Sequence, residues 1–291
     1  MLDFLTTLIN GLSLGGVYAM IALGYTMVYG IAKMLNFAHG DIIMVGGFAI
    51  LIILNLTGVT PLAVAVAIVA CIMAGLLIEL FAYKPLRGAS PLAVLITAIG
   101  VSYLLRSVAQ LIFGTDPKYA KIDFGMIRIG DFSLDTGTLV TLLSAITVMI
   151  LLTLFVSKTK TGRAMIAVSE DKDAATLMGI NPGKIILVTF GIGSALAALA
   201  AFFMVIKNPF AISNTMGAMP GIMAFTAAVI GGIGSIPGAM VGGITLGVVE
   251  TFSNSVPALS PYTAAIEFGL LIIIMLVKPT GLLGKKRREK V

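Results

Sequence analysis

The stretch SKTKTGRAMIAVSEDKDAATLMGINPGK, residues 157–184, is the longest markedly polar segment in an otherwise apolar sequence. Long apolar runs lie on both sides of it. A polar segment of this length between membrane-spanning helices must lie in water, and its basic residues indicate which side of the membrane it occupies.

The composition is typical of helical membrane proteins. Of the 291 residues, 58% are hydrophobic and 11% are charged, and the mean hydropathy is +1.08, whereas soluble domains carry about 25% charged residues. The net charge of +6 does not imply a nucleic acid partner, because basic residues of membrane proteins collect in cytoplasmic loops. We therefore predict an all-α polytopic membrane protein, a single transmembrane domain over residues 1–291 that contacts membrane lipids.

The apolar runs predict the membrane spans and their orientation. The candidate spans are residues 8–33, 41–56, 60–83, 92–113, 139–157, 185–206, 218–233, 237–254 and 262–278. Several are short or interrupted by Gly or Pro, so eight or nine helices are expected. Simple alternation puts the basic loops, residues 158–184 and the basic tail 281–291 on one side, which the positive-inside rule makes cytoplasmic. The N-terminus is then outside and the C-terminus inside.

The main outer loop, residues 115–138, contains the sequence IDFGMIRIGDFSL, in which apolar and polar residues alternate. This pattern predicts a short β-hairpin that turns at the Gly-Asp positions. A simple cap over the helices and a docking surface for an external partner both fit this loop.

A polar cluster, NFAHGD at residues 36–41, separates the first two apolar runs. It fits a cytoplasmic turn in which Asp41 or Asn36 caps the next helix, and it fits a broken helix inside the membrane, where irregular backbone is tolerated against protein or a water-filled cavity. His39 has no Cys, His or Glu partner nearby in sequence, so no metal site is predicted. We predict that Asn36, His39 and Asp41 line the substrate pathway, with Tyr18 and Thr226 as weaker candidates.

Charged residues within spans need partners. Glu79 lies near the end of its span and is expected to extend toward the basic turn at residues 84–87. Arg106 lies in the outer half of its span, at a depth similar to that of Glu250 and Glu267. We predict that Arg106 pairs with one of these two carboxylates.

A glycine-rich region predicts close helix packing. The spacing of Gly234, Gly238 and Gly242, repeated by Gly243 and Gly247, lets helix backbones approach closely. GGIGSIPG is not a nucleotide-binding loop, because Pro237 stands where the last Gly of GxGxxG belongs and no strand precedes it. The sequence also lacks GxxxxGK[ST]. We therefore predict a chain that needs no cofactor and is not itself an ATPase.

The polar segment contains a predicted short helix over Glu170–Met178, with Ser169 before it and Gly179 as its stop. Its face of Ala174, Leu177 and Met178 suits a groove on another protein, although a surface helix held by lipid headgroups is the alternative. The residues predicted to contact a partner are Glu170, Asp171, Asp173, Ala174, Ala175, Leu177, Met178 and Gly179.

Residues 173–179, DAATLMG, resemble the EAA---G loop of ABC importer permeases, with Asp in the Glu position. The later Ile of the general motif is replaced by Thr189. Four ordered motifs are together similar to the LivH-type permeases of branched-chain amino-acid ABC importers: residues 36–41 (NFAHGD), 169–180 (SEDKDAATLMGI), 225–243 (FTAAVIGGIGSIPGAMVGG) and 278–284 (KPTGLLG). The resemblance runs over nearly the whole chain.

The resemblance implies an import complex in a bacterial or archaeal cytoplasmic membrane. Two ABC ATPase subunits would bind the coupling helices of two permease subunits, this chain and a related second one or a copy of itself. An extracytoplasmic binding protein would deliver the amino acid. Urea or short amides are alternative cargo, and an ion-coupled secondary transporter or a membrane scaffold are alternative classes.

Overall fold

The computed structural model describes residues 2–120, 122, 124–129, 132–206 and 211–284. The helices are α1 (Leu2–Ala32), α2 (His39–Thr57), α3 (Thr60–Ile78, continued by a π-turn Glu79–Tyr83 and a 3-10 turn Lys84–Leu86), α4 (Pro91–Phe113), α5 (Thr136–Lys158), α6 (Lys160–Glu170), α7 (Lys172–Leu177), α8 (Pro182–Ile206), α9 (Ala218–Gly231), α10 (Ile236–Ser255) and α11 (Thr263–Val277). The strands are β1 (Met126–Ile129) and β2 (Phe132–Asp135). The predicted hairpin turn at 130–131 and the tail residues 285–291 lie outside the described residues.

The prediction of an all-α polytopic membrane protein is confirmed. Within the described part of the chain, eight helical segments are long and apolar enough to cross a membrane, and α9 is a shorter apolar helix of 14 residues. The count of eight or nine therefore depends on whether α9 is included.

The predicted β-hairpin is also confirmed. Strands β1 and β2 pair antiparallel, with Ile127 opposite Leu134. Asp135 ends the hairpin and caps α5, because its carboxylate accepts the backbone N–H of Gly137 at 3.2 Å.

Helix α1 lies at the centre of the bundle, with almost every residue from 15 to 32 buried, and it packs along α10 and α8. Its contact with α10 depends on glycine: a Cβ on Gly243 would overlap the backbone of Ala19, and one on Gly247 the backbone of Gly15. Of the other predicted packing glycines, Gly238 and Gly242 lie against α9, and Gly234 precedes α10 with a φ of 93°.

Replacing Gly247 with Ala is expected to destabilise the protein. Although Ala is the better helix former, the added methyl group would force α1 and α10 apart, and overpacking of this kind costs about 1–3 kcal/mol. Gly269→Ala on α11 is the matched control, since no atom lies within 4 Å of the position that its methyl group would take. Thermal unfolding of the detergent-solubilised protein measures both; equal melting temperatures would contradict the packing role.

Helix α2 begins inside the bundle rather than at its end. A Cβ on Gly24 of α1 would overlap the His39 imidazole, and Gly24 lies eight residues before the end of α1, which is about 12 Å along the helix. The thiol of Cys71, near the middle of the third span, donates to the Ile42 carbonyl at 3.3 Å. The intervening residues 33–38 therefore turn back into the bundle, as the broken-helix interpretation predicts.

Helix α9 begins at the same depth, because the backbone of Gly217, its N-terminal flanking residue, lies against that of Gly40. The residue before α2 is Ala38, and α2 has no side-chain cap. The alternative in which Asp41 or Asn36 caps α2 is therefore wrong. Two helix N-termini meet inside the bundle, an arrangement that discontinuous helices adopt in transporters.

The polar segment forms two helices where one was predicted over Glu170–Met178. Its first helix, α6, ends at Glu170, and the second, α7, begins two residues later. Asp171 rather than Ser169 is the N-cap: its carboxylate accepts the backbone N–H groups two and three residues ahead, both at 2.9 Å. The extended backbone of Asp171, at φ −153° and ψ 114°, breaks the helix there.

Candidate functional site

The five residues predicted for the substrate pathway do not converge on one space. Asn36 accepts a hydrogen bond from the Tyr83 hydroxyl at 3.0 Å. His39 lies edge-on to Tyr25 with ring centroids 4.8 Å apart, and Asp41 pairs with Arg106. Thr226 is buried in α9, and Tyr18 lines a cavity. These contacts hold the beginning of α2 in place: Asn36 binds the end of the α3 segment, His39 packs on α1, and Asp41 binds α4. Their observed contacts are those of residues that hold helices together.

The prediction that Arg106 pairs with Glu250 or Glu267 is wrong. Arg106 Nε donates to Asp41 Oδ1 at 2.6 Å, and the Asp41 side chain is only 1% exposed. The Ser102 hydroxyl, one turn before Arg106, also hydrogen-bonds Asp41. The physical reason lies in helix neighbours: α4 packs against α2, whereas Glu250 and Glu267 lie on α10 and α11, which pack against each other.

A cavity of about 310 Å³ lies among α1, α8, α9, α10 and α11. Its walls are formed by Leu14, Val17, Tyr18, Met204, Met219, Pro220, Met223, Glu250, Asn254, Thr263, Ala264 and Glu267. Helix α8 begins beside the polar segment and runs to Ile206, so Met204 lies at the far end of the bundle. The cavity is therefore at the end opposite to α6 and α7.

The polar wall of the cavity is a hydrogen-bonded group of side chains. The Glu250 carboxyl hydrogen-bonds the Glu267 carboxyl and the Tyr18 hydroxyl. A hydrogen bond between two carboxyl groups requires a proton, so this pair carries at most one negative charge. Thr263 Oγ1 donates to Asn254 Oδ1 at 2.9 Å beside them. Among the residues that the structure describes, no group of three His, Cys, Asp or Glu side chains is arranged to hold a metal.

Tyr18 was predicted from the sequence as a pathway residue, and Glu250 and Glu267 as candidate ion-pair partners, but their proximity to one another was not predicted. The available signal was an excess of acid: two glutamates near the outer ends of adjacent spans, with a single arginine at similar depth. Because that arginine pairs with Asp41, it does not pair with the glutamates, and Glu250 and Glu267 hydrogen-bond each other instead. Asn254, one helical turn after Glu250, was missed.

At the other end of the bundle, α7 presents an exposed apolar surface. Leu177 is 89% exposed and Met178 is 82% exposed, while Ala175 is buried against the protein. Gly179 ends the helix with a φ of 82°, a conformation that favours glycine, and the Ile180 N–H bonds back to the Ala175 carbonyl at 3.0 Å. The helix is thus held in place while its last side chains point away from the protein.

Lys172 joins α7 to α1, because its ammonium group donates to the Ala32 carbonyl at 3.1 Å. Burial and the nearby Arg87 guanidinium lower the pKa of Lys172 below its ordinary value. Arg87 in turn pairs with the buried Glu79, as the sequence predicted. These contacts connect the polar segment to the ends of two spanning helices.

The motifs from the sequence also meet in space. Leu282 and Leu283, within residues 278–284, donate their backbone N–H groups to Ile230 and Gly231 at 2.8 and 2.9 Å. The Phe37 ring lies 5.6 Å from that of Phe225. Three of the four motifs therefore pack around α9.

A bundle of membrane-crossing helices with a cavity at one end and an exposed apolar helix tip at the other is the architecture of a membrane permease. The chain belongs to the family described as branched-chain amino acid transport system / permease component, whose model matches residues 7–276.

Two relatives are similar over essentially the full length. The chain is 42% identical to the high-affinity branched-chain amino acid transport system permease protein BraD of Pseudomonas aeruginosa, covering 99% of this chain and 98% of the relative. It is also 42% identical to the high-affinity branched-chain amino acid transport system permease protein LivH of Escherichia coli, covering 100% and 98%. No solved structure matches the chain.

Proposed function

We propose that this chain is a permease subunit of an ATP-driven ABC importer that moves branched-chain amino acids across the cytoplasmic membrane. The observation that carries the proposal is full-length similarity to two permeases named for high-affinity branched-chain amino acid transport. The comparisons favour this cargo and class over urea, short amides or an ion-coupled transporter. The chain supplies the path and takes the energy of ATP hydrolysis from partner subunits.

The proposed complex contains two ABC ATPase subunits, a second permease subunit and an extracytoplasmic binding protein. The second permease is a related chain or another copy of this one. We orient the chain with its N-terminus outside and residues 158–184 in the cytoplasm. Three basic positions at one end of the bundle support this orientation: Lys172 contacts the end of α1, Arg87 lies beside the start of α8, and Lys158 ends α5.

The tip of α7 is the proposed contact with the ATPase. Exposed Leu177 and Met178 in a water-facing segment fit an apolar groove on a partner. Of the nearby acidic residues, Glu170 ends α6, Asp171 precedes α7 and Asp173 lies in the first turn of α7. Of these, Asp171 is already used as the N-cap, so we assign it the role of shaping α7 rather than of touching the ATPase.

Helix α1 is the proposed link between the two ends. Its C-terminal residue Ala32 is bound by Lys172, and its middle part contributes Leu14 and Tyr18 to the cavity. A push on α7 that tilts α1 would therefore move one wall of the cavity. Tilting of packed helices is a known way of switching access. The pathway then opens from the cavity toward the buried start of α2.

Reconstitution of the importer tests this function. Proteoliposomes with this chain, its ATPases, the second permease and the binding protein are expected to take up radiolabelled leucine only when ATP is present on the ATPase side. An ATPase subunit with a disabled nucleotide site is the control. Uptake that continues without ATP and collapses when ion gradients are dissipated would identify a secondary transporter, and uptake of urea alone would reassign the cargo.

A further inference from the structure

The cavity combines apolar walls with one acidic corner. Seven of its lining side chains are aliphatic or thioether groups: Leu14, Val17, Met204, Met219, Pro220, Met223 and Ala264. Methionine adapts to alkyl groups of varied shape because its thioether chain is flexible and polarisable. A volume of about 310 Å³ is at the small end of the ~300–1,000 Å³ seen for small-molecule sites. The space suits a small, mainly apolar ligand.

The acidic corner contains an unsatisfied acceptor. The Glu267 side chain is 2% exposed and lines the cavity, and its Oε1 has no hydrogen-bond partner among the described residues. A buried polar atom without a hydrogen-bond partner destabilises the folded protein, and such atoms in folded proteins call for an explanation. A ligand that brings a hydrogen-bond donor into the cavity would be the missing partner of Glu267 Oε1.

The charge of the corner selects the kind of donor. The Glu250–Glu267 pair shares a proton in its mutual hydrogen bond and carries at most one negative charge. It therefore matches a ligand group with one positive charge and several N–H donors. A primary ammonium has that charge and three donors, whereas a divalent metal would need more anionic ligands than the described residues provide here.

We propose that this cavity binds an apolar amino acid, with its ammonium group on Glu250 and Glu267 and its alkyl chain against the methionines. The proposal rests on the proposed function, since branched-chain amino acids have both features. The Asn254 carbonyl is occupied by Thr263 at 2.9 Å, so the Asn254 NH₂ group is the donor on this wall for the ligand carboxylate. The site lies at the end of the bundle where delivered cargo would enter.

An isosteric pair of ligands tests the acidic corner directly. In the purified importer complex, 3-methylbutylamine is expected to raise the melting temperature in a saturable way, and 3-methylbutan-1-ol, which lacks the charge, is not. Glu267→Gln is expected to weaken the amine response at least about tenfold. Asp3→Asn removes one exposed acid near the start of α1 and should leave the response unchanged. Potassium chloride at equal concentration is included to test whether an inorganic cation produces the same response.

Each outcome has a definite reading. Equal responses to amine and alcohol, or an amine response that survives in Glu267→Gln, would overturn the proposal, and an equal response to potassium would assign the corner to inorganic cations instead. Should the Glu267→Gln complex fail to assemble, Glu250→Gln removes the other half of the pair, and the wild-type comparison of amine with alcohol stands without any variant.

Leucine uptake in the same proteoliposomes separates this inference from the proposed function. Glu267→Gln is expected to lower uptake at least fivefold while ATP hydrolysis stimulated by the binding protein continues. If the wild-type complex transports no branched-chain amino acid, the proposed function fails. If wild type and Glu267→Gln transport equally well, the function stands and the cavity is not the binding site.

Discussion

Replacing Leu177 with Asp is expected to reduce ATP-dependent leucine uptake at least about tenfold and to leave the membrane fold intact. Leu177 is 89% exposed at the end of α7 and has Met178, 82% exposed, beside it. Loss of an apolar contact worth about 1.4 kcal/mol at a protein interface lowers affinity tenfold, and an unpaired carboxylate pressed into an apolar groove costs more than that. The substitution is expected to act on the proposed contact between α7 and the ATPase.

Because Leu177 is exposed, a loss of transport in this variant can be distinguished from a loss of folding. Substitutions at exposed positions usually change the free energy of unfolding by no more than about 0.5 kcal/mol. The cap and the stop of α7, Asp171 and Gly179, are both retained. A lost transport activity would then come from the missing contact and not from unfolding of the helix.

Three measurements separate the causes. Thermal unfolding reports the fold, copurification of the ATPase reports assembly, and uptake per ATP hydrolysed reports coupling. Leu177→Met is the matched control, because it keeps an apolar side chain at the same position and should retain near-normal uptake. Normal uptake by Leu177→Asp would show that α7 is not the coupling contact, and lipid headgroups would then be the better partner for this surface.

The elements that were correctly predicted from sequence are those with a local physical signal. An apolar run of about twenty residues is sufficient to identify a spanning helix, and this holds even for α11, in which only Thr263 and Glu267 are buried. The hairpin β1–β2 was detectable because alternation is a property of neighbouring residues. The pairing of Glu79 with Arg87 was likewise predictable, since the two residues are close in sequence near the end of one span.

The incorrect predictions concern relations between distant residues. Depth in the membrane was inferred from distance to the span ends, which treats the loop at residues 33–38 as lying outside the membrane. That loop turns back into the bundle, so Asp41 reaches the level of Arg106. Which helix lies beside which is set by packing, such as that of Gly243 on Ala19, and a single sequence does not contain those neighbours.

The start of α7 was misplaced for a different reason. Ser169, Glu170 and Asp171 are all residues that favour the first turn of a helix. The N-cap is the residue whose backbone is extended rather than helical. That residue is Asp171, directly after the end of α6. Composition alone does not separate one helix with a polar start from two short helices joined by a cap.

Replacing Arg106 with Ala is expected to cause the largest loss of stability among these variants, about 3–5 kcal/mol, because removing one partner of a buried ion pair leaves the other charge uncompensated. Asp41 is 1% exposed, and its Oδ2 makes no hydrogen bond to the described residues even when Arg106 is present. The remaining Ser102 hydroxyl does not neutralise a carboxylate. The purified variant should unfold at a much lower temperature and be recovered in lower yield.

A second substitution identifies the partner of Arg106. Asp41→Asn removes the stranded charge, so the double variant Arg106→Ala/Asp41→Asn should recover much of the lost stability. Glu267→Gln in the same background should recover none, because Glu267 hydrogen-bonds Glu250 and lies on a helix that packs elsewhere. The interaction energy of the Arg106–Asp41 cycle is expected to exceed about 1 kcal/mol, as it does for residues in direct contact. Rescue by Glu267→Gln instead would restore the pairing inferred from depth alone.

The same cycle tests the position of the α2 start, since the pair is what ties that start to α4. If residues 33–38 lay at the membrane surface, Asp41 would be close to water, and removal of Arg106 would cost only the ~0–1 kcal/mol of an exposed ion pair. A loss of several kcal/mol therefore requires that Asp41 be buried, and burial requires that α2 begin inside the bundle. His39 and Gly40 occupy the same turn and pack on Gly24 and Gly217, so their positions depend on this pair as well. Stability of the double variant thus reports on the broken-helix arrangement as a whole.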